Sequence, residues 1–243
     1  MNENEQYPQP QFEAQPIERP GETLSRYTAQ AFLWMAFGLL VTFGISIVGY
    51  ITYLPLYILL VHEYAIFVLT GLELVVVLVL SAKLHSLPVW AARTLFLVYA
   101  VLNGVVFSTY FFLFDVLTLT LAFGAAGLYF GVMAVVGYVA KVDFSRIRSL
   151  LFGALIFLVV FSLLSMFIPS LTILDRVVCL VGIVVFMLYT AYDTQKIKSF
   201  YYGFQGNDAM LAKASIFSAL QLYLDFINLF LYILRFLGKR SKN

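Results

Sequence analysis

Seven apolar runs divide most of the chain. They cover residues 29–50, 65–82, 94–114, 116–140, 150–168, 177–192 and 214–234. Charged side chains interrupt only two of them, with Glu73 in the second run and Asp225 in the seventh. Runs of about 18 or more apolar residues are typical of membrane-spanning helices, whereas barrel strands are about 10 residues long with alternating polarity. The pattern predicts an all-α integral membrane protein with seven transmembrane helices within residues 27–238, and the short sixth run should gain residues at both ends.

The segments that flank this region are polar. Residues 1–26 hold four of the seven prolines and five of the thirteen acidic residues. Such a segment has too few large apolar groups to form a core, so a disordered N-terminal tail is predicted. Residues 239–243 are predicted to form a short basic C-terminal tail.

Composition excludes several classes of protein. The chain is 62% hydrophobic and 12% charged, with a mean hydropathy of +0.93, whereas soluble domains carry about 25% charged residues. A net charge of +2 gives no basis for binding nucleic acid. One cysteine cannot form an internal disulfide, and the sequence contains no phosphate-binding loop, His/Cys metal cluster or serine triad. We therefore predict neither an enzyme nor a cofactor.

The basic residues indicate an orientation. Ten lysines and arginines lie in the N-terminal segment and in the second, fourth and sixth connections, whereas the first and third connections have none. By the positive-inside tendency the N-terminus should be cytoplasmic, and the short connections favour a bacterial plasma membrane. The basic C-terminal tail breaks the pattern. Either the tendency is overridden there, or the seventh segment does not cross the membrane fully.

A stripe of small residues marks the fourth run. Gly124, Gly127, Gly131 and Ala134 follow a three-four spacing and share one helix face. Small residues on one face let two helices approach closely in lipid. The stripe therefore predicts a helix-packing surface.

The seventh run carries polar side chains on one face. Spacings of 3, 4, 3 and 4 residues align Ser218, Gln221, Asp225, Asn228 and Tyr232. A lone carboxylate facing lipid would cost about 2.5–3.5 kcal/mol even on a lenient scale. This face should therefore point inward, which makes the seventh helix central.

Two further acidic residues lie in or beside the apolar runs. Asp193 follows the sixth run and shares a face with Tyr189 and Lys196, so its simplest interpretation is an interfacial aspartate neutralised by lysine. Glu73 lies near the middle of the second run with no basic residue within two turns. Either its partner comes from another helix, for which Asn103 in the third run is a candidate, or Glu73 is protonated.

Carboxylates inside a membrane support three kinds of chemistry. Calcium prefers oxygen ligands, intramembrane acids relay protons, and paired acids titrate jointly. A paired aspartate could alternatively activate water for peptide hydrolysis.

Two motifs resemble those of a known family. The stretch ALQLYLDFINLFLYILRFLG, residues 219–238, resembles the last helix of the Bax inhibitor family, and LYTAYDTQKIK, residues 188–198, is similar to its sixth-helix motif. The resemblance implies six helices around the seventh and a pH-sensitive calcium leak gated by two aspartates. The matching positions are Asp193 and Asp225, which are also the candidate calcium ligands, and Glu73 matches an acid on the second helix. Gln221, Asn228, Asn103 and Glu73 are the candidate supporting polar core.

The resemblance is incomplete at one position. Some family members pair the sixth-helix aspartate with an arginine near the inner end of helix two, and Leu84 stands there in this chain. The flanking Lys83 and His85 are therefore the candidate latch residues.

The leading hypothesis is a calcium-permeable leak that responds to protons in a lipid bilayer. The alternative is a non-conducting regulator that acts through membrane-protein partners, such as membrane proteases or cell-death factors. An intramembrane aspartyl protease is disfavoured, because the second aspartate lies in LYLD instead of Gly-x-Gly-Asp and no Pro-Ala-Leu loop is present.

Overall fold

The computed structural model describes residues 23–62, 64–83, 86–168 and 173–238, and the regular elements there are helical. They are α1 (Leu24–Thr52), α2 (Leu54–Val61), α3 (Ala65–Ala82), α4 (Val89–Ser108), α5 (Tyr110–Leu113), α6 (Val116–Val139), a 3-10 helix (Phe144–Ile147), α7 (Arg148–Phe167), α8 (Asp175–Gly203) and α9 (Asp208–Leu237). Every predicted run corresponds to a helix, and the third run forms α4 and α5 together.

Six of these helical segments are long and apolar enough to cross a membrane. They are Leu24–Thr52, Val89–Leu113, Val116–Val139, Phe144–Ser165, Asp175–Gly203 and Asp208–Leu237. The remaining predicted span, α3, has 18 residues, about 27 Å at 1.5 Å per residue, against a hydrocarbon thickness of about 30 Å. The chain is therefore a helical integral membrane protein with six apolar spans and a shorter seventh helix.

The ends of two helices differ from the ends of the apolar runs. Helix α1 begins at Leu24, inside the predicted tail, because the Thr23 side chain caps it by accepting a hydrogen bond from the amide of Arg26 at 3.3 Å. Helix α8 extends beyond the sixth run at both ends, as expected. The rest of the predicted tail, residues 1–22, and the basic tail at 239–243 lie outside the described residues.

Helix α9 lies at the centre of the bundle. It is the most buried of the candidate spans, with 67% of its most apolar 18 residues buried, and it packs against α8, α1, α6 and α4. Helices α3 and α7 pack mainly on α4 and α8. The burial of α9 fits the predicted central position, and four of the other helices contact it directly in the described residues. The predicted ring of six helices around it stays a prediction.

The packing predicted for the small-residue stripe on α6 is wrong at its three glycines, whereas Ala134 at the end of the stripe is buried in the core. A methyl group added at Gly124, Gly127 or Gly131 would meet no atom within 4 Å. The close approach occurs instead at Gly137, where an added methyl would clash with the Ala191 backbone of α8. The three-four spacing identified a shared face correctly, but spacing does not say whether that face meets lipid or protein.

Helices α8 and α9 form an antiparallel hairpin. The turn between them contains Gly206, whose φ of 85° suits glycine, and Asn207 caps α9 by accepting a hydrogen bond from the amide of Met210 at 3.0 Å. With 30 residues, α9 is about 45 Å long. The seventh segment is thus long enough to cross a bilayer fully.

Candidate functional site

The two predicted aspartates lie on neighbouring helices and are both buried. Asp193 on α8 is 6% exposed and Asp225 on α9 is 4% exposed. Their carboxyl groups interact electrostatically, as expected if both side chains point into the interface between these helices. The polar face of α9 therefore points inward at Asp225, as the spacing predicted.

A glutamine joins the two helices at this point. Gln221, one turn before Asp225, donates a hydrogen bond from Nε2 to Oδ1 of Asp193 at 3.1 Å. The ammonium of Lys196 lies 3.9 Å from the same oxygen and donates to Oε1 of Gln221 at 3.4 Å. The lysine that the sequence suggested as a neutralising partner for Asp193 is confirmed in that contact.

Aromatic rings hold the same ammonium from other directions. Lys196 Nζ lies 5.7, 5.3 and 5.6 Å from the ring centres of Tyr192, Phe200 and Phe217. Cation–π contacts at such distances each contribute about 0.5–1 kcal/mol where water reaches them. Sequence analysis missed these contacts, because Phe217 belongs to α9 and only the packing of the hairpin brings it over Lys196.

Asp225 is less well satisfied than Asp193. Its Oδ2 atom is enclosed and has no hydrogen-bond partner among the described residues. The hydroxyls of Ser218, two polar positions earlier on α9, and of Thr194, next to Asp193, are also enclosed without a hydrogen-bond partner among the described residues. Buried polar atoms are nearly always paired, so the unpaired oxygen of Asp225 is typical of a site that binds a proton, water or a cation.

The other predicted supporting residues form no hydrogen bond with the aspartate pair among the described residues. Asn228 donates to the carbonyl of Leu224 at 2.8 Å, and Asn103 donates to the carbonyl of Tyr99 at 3.2 Å, each within its own helix. Among the four candidates for the supporting core, only Gln221 therefore bonds to one of the aspartates in the described contacts.

Glu73 and Asn103 belong to a second polar cluster on the other side of α9. Its centre is Tyr223, which lies two residues before Asp225 and so about 200° around the helix. The Tyr223 hydroxyl is 2.6 Å from Oγ1 of Thr42, and Thr42 in turn donates to the carbonyl of Ala100 at 2.9 Å. This arrangement ties α9 to α1 and α4.

Glu73 faces this second cluster. The residue is partly buried, its Oε1 atom is enclosed without a hydrogen-bond partner among the described residues, and it lies within electrostatic range of Tyr99 and Tyr223. The predicted inward orientation fits these contacts. A hydrogen bond to Asn103 does not occur among the described contacts and stays a prediction.

The candidate latch is only partly covered by the structure. Lys83 caps the end of α3 with an exposed side chain, and no ion pair of Lys83 occurs in the part of the chain that the structure describes. His85 lies outside the described residues. Among the described residues, Asp193 forms its ion pair with Lys196 and not with Lys83.

Sequence analysis also missed an ion pair at the other end of the same two helices. The Arg235 guanidinium near the end of α9 donates to Asp175 in the first turn of α8. Arg235 lies three residues after Tyr232, so it continues the polar spacing that begins at Ser218. Its positive charge is compensated by this acidic partner.

The carboxyl pair alone is a sparse calcium site. No group of three or more His, Cys, Asp or Glu side chains suited to a metal occurs among the described residues. Calcium takes 6–8 oxygen ligands, and two carboxyl groups supply at most four. The site fits a weakly held, largely hydrated cation better than a structural ion.

These features define a polytopic helical membrane protein with a buried carboxyl pair between its last two helices. The sequence model of the family described as inhibitor of apoptosis-promoting Bax1 matches residues 24–242. The chain belongs to this Bax inhibitor family.

Bacterial proteins are similar along most of the chain. The inner membrane protein YbhL of Escherichia coli K12 is 36% identical over 225 residues, which cover 92% of this chain and 96% of the relative. Protein RP147 of Rickettsia prowazekii is 37% identical over 219 residues, covering 90% and 92%. The membrane protein SpyM3_0260 of Streptococcus pyogenes is 34% identical over 212 residues, covering 83% and 90%.

Proposed function

We propose that this chain forms a pH-sensitive, calcium-permeable leak across a bacterial plasma membrane. Asp193 and Asp225 are its pH sensor and gate and its transient calcium ligands. In this proposal the other helices form the wall around α9, and the N-terminus is cytoplasmic. The observation that carries the proposal is the buried carboxyl pair, in which one oxygen of Asp225 has no hydrogen-bond partner among the described residues.

Proton binding follows from the proximity of two acids. Two carboxylates in a low-dielectric interior repel each other, so protons bind to the pair jointly and not to either residue alone. Protonation removes charge that would attract or bind a cation, and it also weakens the ion pair with Lys196. Either effect makes the cation path depend on pH.

In this proposal the contacts of Lys196 belong to a closed state of the gate. Its ammonium occupies one oxygen of Asp193 and the amide oxygen of Gln221. Both atoms are of the kind that calcium uses as ligands. A calcium ion that binds Oδ1 of Asp193 together with Oε1 of Gln221 would therefore have to displace the ammonium of Lys196.

Calcium flux into liposomes that contain the purified protein, measured across pH, tests the proposal. Asp193→Asn and Asp225→Asn keep the side-chain shape but remove the titration, so each should flatten the pH response. Asp208→Asn is the matched control, because Asp208 is an exposed aspartate in the first turn of α9, and it should respond like the unaltered protein.

Three outcomes separate the alternatives. If both Asn variants conduct calcium with an unchanged pH profile, the two aspartates are not the pH sensor. Absence of calcium flux under all conditions would favour the non-conducting regulator. Cleavage of a membrane peptide that both Asn variants abolish, without any calcium flux, would favour the protease.

A further inference from the structure

The ion pair between Asp175 and Arg235 lies far from the carboxyl pair. Asp175 precedes Asp193 by 18 residues on α8, a separation of about 27 Å along the helix, which approaches the hydrocarbon thickness of about 30 Å. The two side chains are 34% and 35% exposed, so the pair is partly accessible from outside the bundle. The interface between α8 and α9 thus has a titratable pair at one end and an ion pair at the other.

Behind the ion pair the interface is closed. Cys179, one turn deeper on α8, is fully buried, and its sulfur lies 3.9 Å from Oδ2 of Asp175. One turn further, the Tyr232 ring covers Gly182, where an added methyl carbon would lie 2.5 Å from the ring. The same ring stacks on Phe186 with centres 5.8 Å apart.

Arg235 also contacts the Tyr232 ring. Its guanidinium carbon lies 5.8 Å from the centre of the Tyr232 ring, so one side chain both pairs with Asp175 and covers the aromatic layer. A cation that approaches from this end meets an Asp175 carboxylate that is already paired with Arg235. It would reach Asp175 only by replacing Arg235 as its partner.

We propose that the Asp175–Arg235 ion pair, with the Tyr232 ring beneath it, is a second closure of the α8–α9 path, at the end opposite the carboxyl pair. This inference rests on the proposed leak function. Opening the path then requires separation of this ion pair as well as a change at the carboxyl pair. Loss of either partner should leave this end open.

Cys179 is a native reporter of this closure, since it is the one cysteine in the chain. Its labelling by a negatively charged, water-soluble maleimide is measured in the full chain reconstituted in nanodiscs. Labelling should be slow in the unaltered protein and at least about tenfold faster in Arg235→Gln. Without the positive charge of Arg235, the reactive thiolate of Cys179 is less favoured and the anionic reagent is attracted less. Both effects would slow labelling, so faster labelling would mean that the reagent reaches Cys179 more easily.

Two further variants control for loss of structure. Asp175→Arg combined with Arg235→Asp restores an ion pair of reversed polarity and should return labelling to a slow rate. Arg146→Gln removes the exposed ion pair with Asp143, which is 3.9 Å long, and should leave labelling unchanged. Should Arg235→Gln fail to reconstitute, Asp175→Asn breaks the same pair from the other side.

Calcium flux in liposomes forms the second arm of the test. Arg235→Gln should raise the flux severalfold, and the reversed pair should lower it again. If the unaltered protein conducts calcium but Arg235→Gln changes neither labelling nor flux, the second closure is refuted while the leak function stands. If no variant conducts calcium, the leak function is refuted and this closure of the path with it.

Discussion

Replacement of Lys196 by methionine tests whether this lysine competes with calcium. Lys196→Met keeps the length of the side chain and removes the ammonium 3.9 Å from Asp193. At an effective dielectric constant of about 20, two unit charges at this distance attract each other by about 4 kcal/mol. The lysine side chain is 27% exposed, so solvent screening reduces that value, and about 1–2 kcal/mol is expected.

The sign of the effect follows from the contacts. Removal of the ammonium frees Oδ1 of Asp193 and Oε1 of Gln221 and removes a positive charge that repels calcium. Since 1.4 kcal/mol corresponds to a tenfold change in an equilibrium constant, the half-saturating calcium concentration should fall by about tenfold.

Lys198→Met is the matched control for this measurement. Lys198 lies two residues on, on another face of α8, and donates to the carbonyl of Tyr138. The two variants change the net charge equally, so any effect of overall charge is common to both. Calcium-dependent flux is recorded for each in liposomes at constant ionic strength. An unchanged half-saturating concentration in Lys196→Met would refute competition between this lysine and calcium.

Two further predictions concern packing and orientation. Gly137→Ala should destabilise the protein by about 1–3 kcal/mol because the added methyl clashes with the Ala191 backbone, whereas Gly131→Ala should be neutral or stabilising. Thermal unfolding in detergent compares the two variants, and an equal loss of stability in both would contradict the assigned packing face. In a Cys179→Ala background, Glu73→Cys should react slowly with a lipid-soluble maleimide, and Leu74→Cys, whose native side chain is 59% exposed, should react quickly. Equally fast reaction at both positions would mean that residue 73 faces lipid.

The spacing of polar residues on α9 illustrates what can be predicted from the sequence pattern alone. Ser218, Gln221 and Asp225 share a face, and the cost of a charge in lipid turns that face inward. The same argument predicted a central α9. Helix period and solvation are local properties of a sequence, which is why this part was predictable.

The positions of Glu73 and Asn103 could not be predicted from the sequence pattern. Each is a polar residue within an apolar helix, and nothing in their spacing assigns them to the aspartate pair or to another cluster. The rotation of α3 and α4 about their axes joins them to Tyr223, on the side of α9 away from Asp225. That rotation depends on the packing of several helices at once.

The sequence alone thus determined the membrane class, the apolar helical segments, and the two motifs that carry the aspartates, because burial in lipid imposes a strong and local cost on every polar residue. Only the tertiary structure decided that Gly137, and not Gly131, meets a neighbouring helix, that Phe217 covers Lys196, and that Arg235 pairs with Asp175. These contacts join residues from different helices. They depend on which faces meet in the bundle, and helix period leaves that choice open.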